Sequence, residues 1–270
     1  MKTTASASQH ESAPRVSSRL VKLFAGYSRR YMRGRFHSLR ILRRALPPTA
    51  SARPLVIYLN HASWWDPLVC LRLSQQWFAD RNSFGPIDAA MLGRYGFFKH
   101  LGFYGIEQNS PRGARQFLRT TRAILASSHN IVWLTPQGRF MDVRERPLRL
   151  QPGLAALPAL APDAMFLPLA IEYAFWTEPR PEILVSFGEP IVPRDEVPQN
   201  AGEWTRRFTD ALETTQDELA ARSCRRDAHE WLTLDDGASG VGGIYDAWRR
   251  LRAKMRGEKF TAEHHAEARR

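Results

Sequence analysis

Dense apolar runs occupy the chain between about Pro54 and Val192, and charged residues crowd in on either side. Leu55-Val56-Ile57-Tyr58-Leu59 is a continuous apolar run, the pattern of a strand covered on both faces. Asn130 to Thr135, Met165 to Phe175 and Glu182 to Phe187 predict three further buried strands. Between them the period becomes helical. One helix is predicted from about Asp66 to Phe78. Another runs from Arg112 to Ala126, with Ala114, Phe117, Leu118, Thr121, Ile124 and Leu125 on one face. Glu203 to Arg222 predicts a helix of mixed charge, exposed on one side. Helices alternating with continuous apolar strands predict an α/β domain, a layered sheet with flanking helices.

The flanks read differently. From Arg15 to Leu46, Leu20, Leu23, Phe24, Tyr27 and Tyr31 fall at three- and four-residue spacings, interleaved with Arg29, Arg30, Arg33 and Arg35. That pattern predicts a basic amphipathic helix, broken near Gly34 and stopped by Pro47-Pro48. It fits two readings equally: a surface helix packed on the core, or a helix lying on anionic lipid. At the other end, Asp235 to Gly243 reads as a flexible link, and Ile244 to Arg256 as a short basic helix carrying Tyr245, Trp248 and Leu251 on one face. The expected organisation is a disordered lead-in over 1–14, a membrane-associating helix over 15–50, a catalytic domain over 51–222, and a polar linker, short helix and flexible tail over 223–270.

Composition adds the sign of the partner. The 270 residues are 43% hydrophobic, enough for one large core, and carry a formal charge of +12. Arginine is strongly preferred to lysine. Such a chain meets an anionic partner: nucleic acid, a membrane surface or a phosphorylated substrate. Cys70 and Cys224 lie far apart, so neither a disulfide framework nor a metal spacing is expected, in keeping with a reducing cytosol. No apolar stretch reaches the roughly 18 residues of a membrane span, and no apolar signal core follows Met1 to Ser8. Abundant arginine and alanine point to a bacterial source.

The chemistry sits in Asn60-His61-Ala62-Ser63-Trp64-Trp65-Asp66-Pro67. His61 directly follows a buried strand, and strand ends in α/β sheets are where sites are built. A carboxylate bonded to one imidazole nitrogen fixes the tautomer and stabilises the imidazolium formed when the other takes a proton. Spacing alone favours a plainer account, with Asp66 capping a helix that begins at Pro67.

Four blocks in order change that balance. Asn60-His61-x4-Asp66 resembles the NHx4D signature of the lysophospholipid (glycerolipid) acyltransferase family. Gly102-Phe103-Tyr104-Gly105-Ile106-Glu107-Gln108 resembles the second block, a strand entering the site. Thr135-Pro136-Gln137-Gly138-Arg139 resembles the third, and Phe166-Leu167-Pro168-Leu169-Ala170-Ile171 the fourth. The resemblance covers roughly Pro54 to Val192. It implies an acyltransferase in which His61, oriented by Asp66, deprotonates a lipid hydroxyl that attacks the thioester of acyl-CoA or acyl-carrier protein. Backbone N–H groups and the third block would hold the oxyanion. Asn60, Glu107, Gln108, Pro136, Gln137, Gly138 and Arg139 are the implied substrate-binding residues. No metal or cofactor is implied beyond the thioester substrate, and the expected location is peripheral, on the cytoplasmic face of an anionic membrane.

The departures narrow the acceptor. Gln108 stands where phosphate-accepting members carry arginine, Gln137 replaces the usual glutamate, and Arg139 comes one residue early. Those changes weigh against lysophosphatidate and toward an uncharged, zwitterionic or glycosylated acceptor, since Gln offers neutral hydrogen bonds. Arg112 and Arg115 stand downstream as alternative clamps or as a solvated helix face. Trp64 and Trp65 line an acyl channel or simply pack. Competing readings are a lysophosphatidate acyltransferase, a thioester hydrolase using water, a non-catalytic relative, and a basic nucleic-acid-binding protein. The last leaves the strand feeding His61 unexplained and shows no zinc spacing or recognition-helix motif.

Overall fold

The structure is a computed structural model that describes residues 13–49, 51–198 and 200–237. In chain order the elements are α1 (Ser18–Arg33), β1 (Ser38–Leu42), β2 (Leu55–Leu59), α2 (Asp66–Trp77), β3 (Asn82–Asp88) and α3 (Ala89–Arg94). A 3-10 turn (Gly96–Leu101) leads into β4 (Phe103–Ile106), α4 (Pro111–Leu125) and β5 (Asn130–Leu134). Then come two short helices, α5 (Pro152–Ala155) and α6 (Leu157–Leu160), and β6 (Met165–Ala174), β7 (Glu182–Phe187), α7 (Ala201–Arg225) and β8 (Trp231–Asp236).

The strands form one mixed sheet in the order β4-β3-β5-β2-β6-β7-β1-β8. β4, β3, β5, β2 and β6 are mutually parallel, β7 runs antiparallel to β6, β1 is parallel to β7, and β8 antiparallel to β1. Alternation along the central strands divides the core in two. Leu55, Ile57, Leu59, Trp133, Leu169 and Ile171 face α1 and α2, meeting Met32, Val69 and Leu73. Val56, Tyr58, Val132, Leu134 and Phe166 face the other way, onto Phe117, Leu157, Phe208 and Leu212 of α4, α6 and α7. A layered α/β fold with helices on both faces is thus what the structure shows, and the strands at Leu55, Asn130, Met165 and Glu182 stand where the apolar runs placed them.

Two expectations change, and one strand is new. The basic helix does not extend to Leu46: α1 ends at Arg33, and Ser38–Leu42 is a buried strand of the sheet. Arg40 made that segment look solvated. Instead its Nε donates to Ser38 Oγ at 2.8 Å and Glu182 at 3.2 Å, and its guanidinium lies 5.2 Å from the Trp176 ring centre. A buried arginine is tolerated when its charge is matched in this way. Second, the sheet does not end at residue 222. Asp235 and Asp236, read as the start of a link, belong to β8, and Asp235 bonds Arg29 of α1 and Arg72 of α2, each at 2.6 Å. The new strand is β3, which carries Asn82, Gly85, Pro86 and Asp88, a composition that hides a strand. The lead-in over 1–12 and the helix expected over Ile244–Arg256 lie outside the described residues.

Candidate functional site

β2 and β5 are neighbours, but the chain leaves them in opposite directions. After β2 it enters α2 on one face; after β5 it reaches α5 and α6 on the other. Adjacent parallel strands that exit to opposite faces open a crevice at their carboxyl ends. The first and third sequence blocks meet there.

Asn60 continues β2 and is 2% exposed. Its Nδ2 donates to Ile171 O and its Oδ1 accepts from Ile171 N–H, both at 2.9 Å, so the amide side chain prolongs the β2–β6 pairing. The next residue, His61, is held by its backbone. Its N–H donates to Gln137 Oε1 at 2.7 Å, and its carbonyl accepts from Met141 N–H at 2.9 Å. The imidazole is left half-buried, with Nδ1 2.8 Å from Asp66 Oδ2. That bond leaves Nε2 as the nitrogen able to face an acceptor. Phe140 packs beside the ring, centroids 4.3 Å apart, and is itself 57% exposed.

Asp66 is the first residue of α2 and is 1% exposed. It does not cap the helix: the cap position is Trp65, whose side chain makes no capping hydrogen bond. The carboxylate turns back instead. Oδ2 accepts from Ser63 N–H at 3.0 Å as well as facing His61, and Oδ1 accepts from Tyr173 O–H at 2.7 Å. A negative charge in the first turn of a helix is also favoured by the helix dipole. Burial, and then the Asp66 charge, push the Tyr173 phenol and the Cys70 thiol well above their ordinary pKa values, so both remain neutral.

The remaining predicted residues separate into two groups. Pro136 and Gln137 are buried at the end of β5, and Gln137 Oε1 holds the backbone of His61. Asn60 holds that of Ile171. Both side chains meet main-chain groups that burial would otherwise leave unpaired, Asn60 through both ends of its amide and Gln137 through Oε1. Gly138 takes φ +69°, a conformation suited to glycine, and its N–H is used by Thr135 O at 3.0 Å. It exposes Arg139 and Phe140 beside the crevice.

The second block stands apart. β4 is separated from β2 by β3 and β5, which sets it about 14 Å away at ordinary strand spacing. Glu107 and Gln108 are exposed at its end. Glu107 Oε2 accepts from Ser110 Oγ at 3.0 Å, and Ser110 in turn caps α4. Arg112 and Arg115 are exposed on α4. A cavity of about 350 Å³ beyond β4 is lined by Arg15, Lys99, His100 and Phe103, with no dyad residue among them.

Sequence reasoning passed over Tyr173 and Phe140. Tyr173 had a legible signal: it lies two residues beyond Ile171, and alternation along a strand puts both on the face that meets α2. Trp65 is half-buried against Tyr31 and Phe36, with ring centroids 5.2 and 4.9 Å away, whereas Trp64 is 63% exposed. No family model matches this chain, and no curated protein matches it.

Proposed function

We propose that this protein is an acyltransferase that moves a fatty acyl group from an acyl thioester, acyl-CoA or acyl-carrier protein, to a lipid hydroxyl at a membrane surface. The observation that carries the reading is the 2.8 Å contact of His61 Nδ1 with a buried, triply hydrogen-bonded Asp66 at the switch point of a parallel sheet. That arrangement suits a general base. Nε2 takes the acceptor's hydroxyl proton as its oxygen attacks the thioester carbonyl. Collapse of the tetrahedral intermediate expels the thiolate, which the imidazolium protonates. No covalent enzyme intermediate is needed, and Asp66 keeps its charge throughout.

The acceptor is read as lacking a phosphate monoester. Gln108 is neutral and exposed, Glu107 adds negative charge beside it, and that strand end is distant from the dyad. A bidentate arginine clamp, the strong way to hold phosphate, is not formed by the residues of the second block.

The membrane side of the reading rests on α1. The helix docks through Ala25, Ser28 and Met32, so its apolar stripe is only partly used: Leu20 is 41%, Leu23 71% and Tyr27 62% exposed. Phe97 extends the stripe through its contact with Phe24, and ring contacts continue through Tyr27 and Tyr31 to Trp65 and Trp64, in the loop that carries the dyad. No Asp or Glu occurs between Glu11 and Asp66. An apolar belt set among basic side chains, of which Arg29 is paired with Asp235, complements an anionic lipid surface.

The test is thiol release from acyl-CoA with lysophosphatidate, other lysolipids, hydroxylated or glycosylated lipids, and water alone. Wild type should be fastest with an acceptor lacking a phosphate monoester, and His61→Ala should lose about 10²–10⁴ in rate. Equal rates for the two proteins on every acceptor would remove the dyad assignment. Lysophosphatidate as best acceptor would overturn the reading of Gln108, and release independent of any lipid would make the protein a hydrolase.

A further inference from the structure

Each oxygen of Asp66 is held by a neighbour. Oδ2 faces His61 Nδ1 and accepts from Ser63 N–H, within the loop between β2 and α2. Oδ1 is held from elsewhere in the fold, by the O–H of Tyr173 at 2.7 Å, a residue 107 positions away. An ionised carboxylate only accepts, so the phenol is the donor. Tyr173 comes from β6, the strand beside β2, and its backbone is tied to β2 through the Asn60–Ile171 pair two residues earlier. Its ring packs on Phe36, centroids 5.7 Å apart.

We infer that Tyr173 is a positioning residue of the dyad: its hydroxyl locks the Asp66 carboxylate and limits how tightly the His61–Asp66 pair holds a proton. The inference uses the acyltransferase reading only for its kinetic readout.

Asp66 is 1% exposed, so solvent cannot take the place of a lost donor. With Oδ1 unpaired, the carboxylate is free to turn about its Cβ–Cγ bond and its charge is less satisfied. A less satisfied anion attracts a proton more strongly, and the pair as a unit then stays protonated to higher pH. His61 acts as a base only when that proton is gone. The other groups set against Tyr173 do not supply a competing charge. The Ser63 hydroxyl, which also bonds the phenol, is neutral, Cys70 of α2 is a neutral thiol, Ile183 of β7 lies opposite Tyr173 in the sheet, and Phe36 ahead of β1 is apolar.

The experiment is Tyr173→Phe in the full chain, which keeps the ring and removes the donor. Thiol release measured across pH should show turnover about tenfold lower near neutrality. The acid-side midpoint should move up by roughly one pH unit, with KM for both substrates within twofold of wild type. In a His61→Ala background the same change should do nothing further. Separately, the imidazole signal of His61, followed by NMR in ¹³C-histidine-labelled protein and assigned by its loss in His61→Ala, should titrate with a midpoint raised in Tyr173→Phe. An unmoved pH profile, or a loss appearing in KM instead of turnover, overturns the inference. If wild type shows no His61-dependent release with any acceptor, the acyltransferase reading fails, and the imidazole titration decides alone: a raised midpoint supports the role of Tyr173, an unchanged one removes it.

Discussion

Asn60 shows how a polar residue beside a candidate base can serve the fold. As one letter of an Asn-His pair it read as substrate-binding, but both ends of its amide meet the backbone of Ile171. The bonds hold β2 against β6 at the point where His61 and Tyr173 must face each other across Asp66. Asn60→Ala leaves two buried main-chain groups unpaired and is expected to cost about 2–4 kcal/mol, seen as a lower urea midpoint at unchanged m value. A variant with an unchanged midpoint would show that the pair contributes nothing to stability. Asn60→Asp should recover little, because it keeps the acceptor for Ile171 N–H but sets a second acceptor against Ile171 O. At this scale His61 and Asp66 were legible because their types and order matched a pattern. The backbone partners of Gln137 and Asn60 were not legible, since a side chain's partner is decided by strands far away in sequence.

Among elements, α1 is the one whose sequence and placement diverge most usefully. The periodicity picked out Leu20, Leu23, Phe24, Tyr27 and Tyr31 as one face, which fitted packing on the core and lying on lipid equally. It is chiefly the neighbouring face of Ala25, Ser28 and Met32 that is buried. Of the stripe, Phe24 and Tyr31 pack against the core, and Leu20, Leu23 and Tyr27 are left exposed. Replacing Leu23 and Tyr27 together by Ser should change thermal stability little, as exposed substitutions usually do. Binding to vesicles of phosphatidylglycerol and phosphatidylcholine should weaken at least tenfold, since each side chain contributes about 1.5–3 kcal/mol when fully taken out of water. Unchanged vesicle binding with an intact fold would move the docking surface away from α1. The expected helix over 15–46 overran its end because Ser38-Leu39-Arg40-Ile41-Leu42 is too short and too basic to announce a strand. Its burial depends on Glu182 of β7, a partner no local window contains.

For the whole molecule, the edge of the sheet matters more than its centre. β8 returns after the long α7 and closes the β1 edge, and Asp235 ties it to both helices of the site-bearing face through Arg29 and Arg72. Trp231, 1% exposed, packs beneath Trp176. A chain ended at Arg222 loses this strand, bares the β1 edge and leaves Arg72, only 11% exposed along its side chain, without its carboxylate. It should lose a cooperative thermal transition, or melt more than about 10 °C lower, because stripping a partner from a buried charge ranks among the largest single destabilising changes. A chain ended at Gly237 keeps every described strand and should retain the transition. Equal melting of the two would show that β8 is dispensable.

Burial period written along the chain determined the central strands, the helices between them and the α/β layering. The His61–Asp66 candidate was legible too, but through the resemblance of four ordered blocks, since its spacing alone favours a helix cap. Tertiary structure alone decided that Ser38–Leu42 and Trp231–Asp236 are strands, that Leu20, Leu23 and Tyr27 of α1 face outward, and that Tyr173 reaches Asp66. Those features depend on which strand lies beside which. Pairing between segments more than 100 residues apart is set by the packing of the entire sheet, and no local period records it. The dyad was therefore readable as a pair of residues, while the donor that completes the hydrogen bonding of its carboxylate came into view only with β6 laid beside β2.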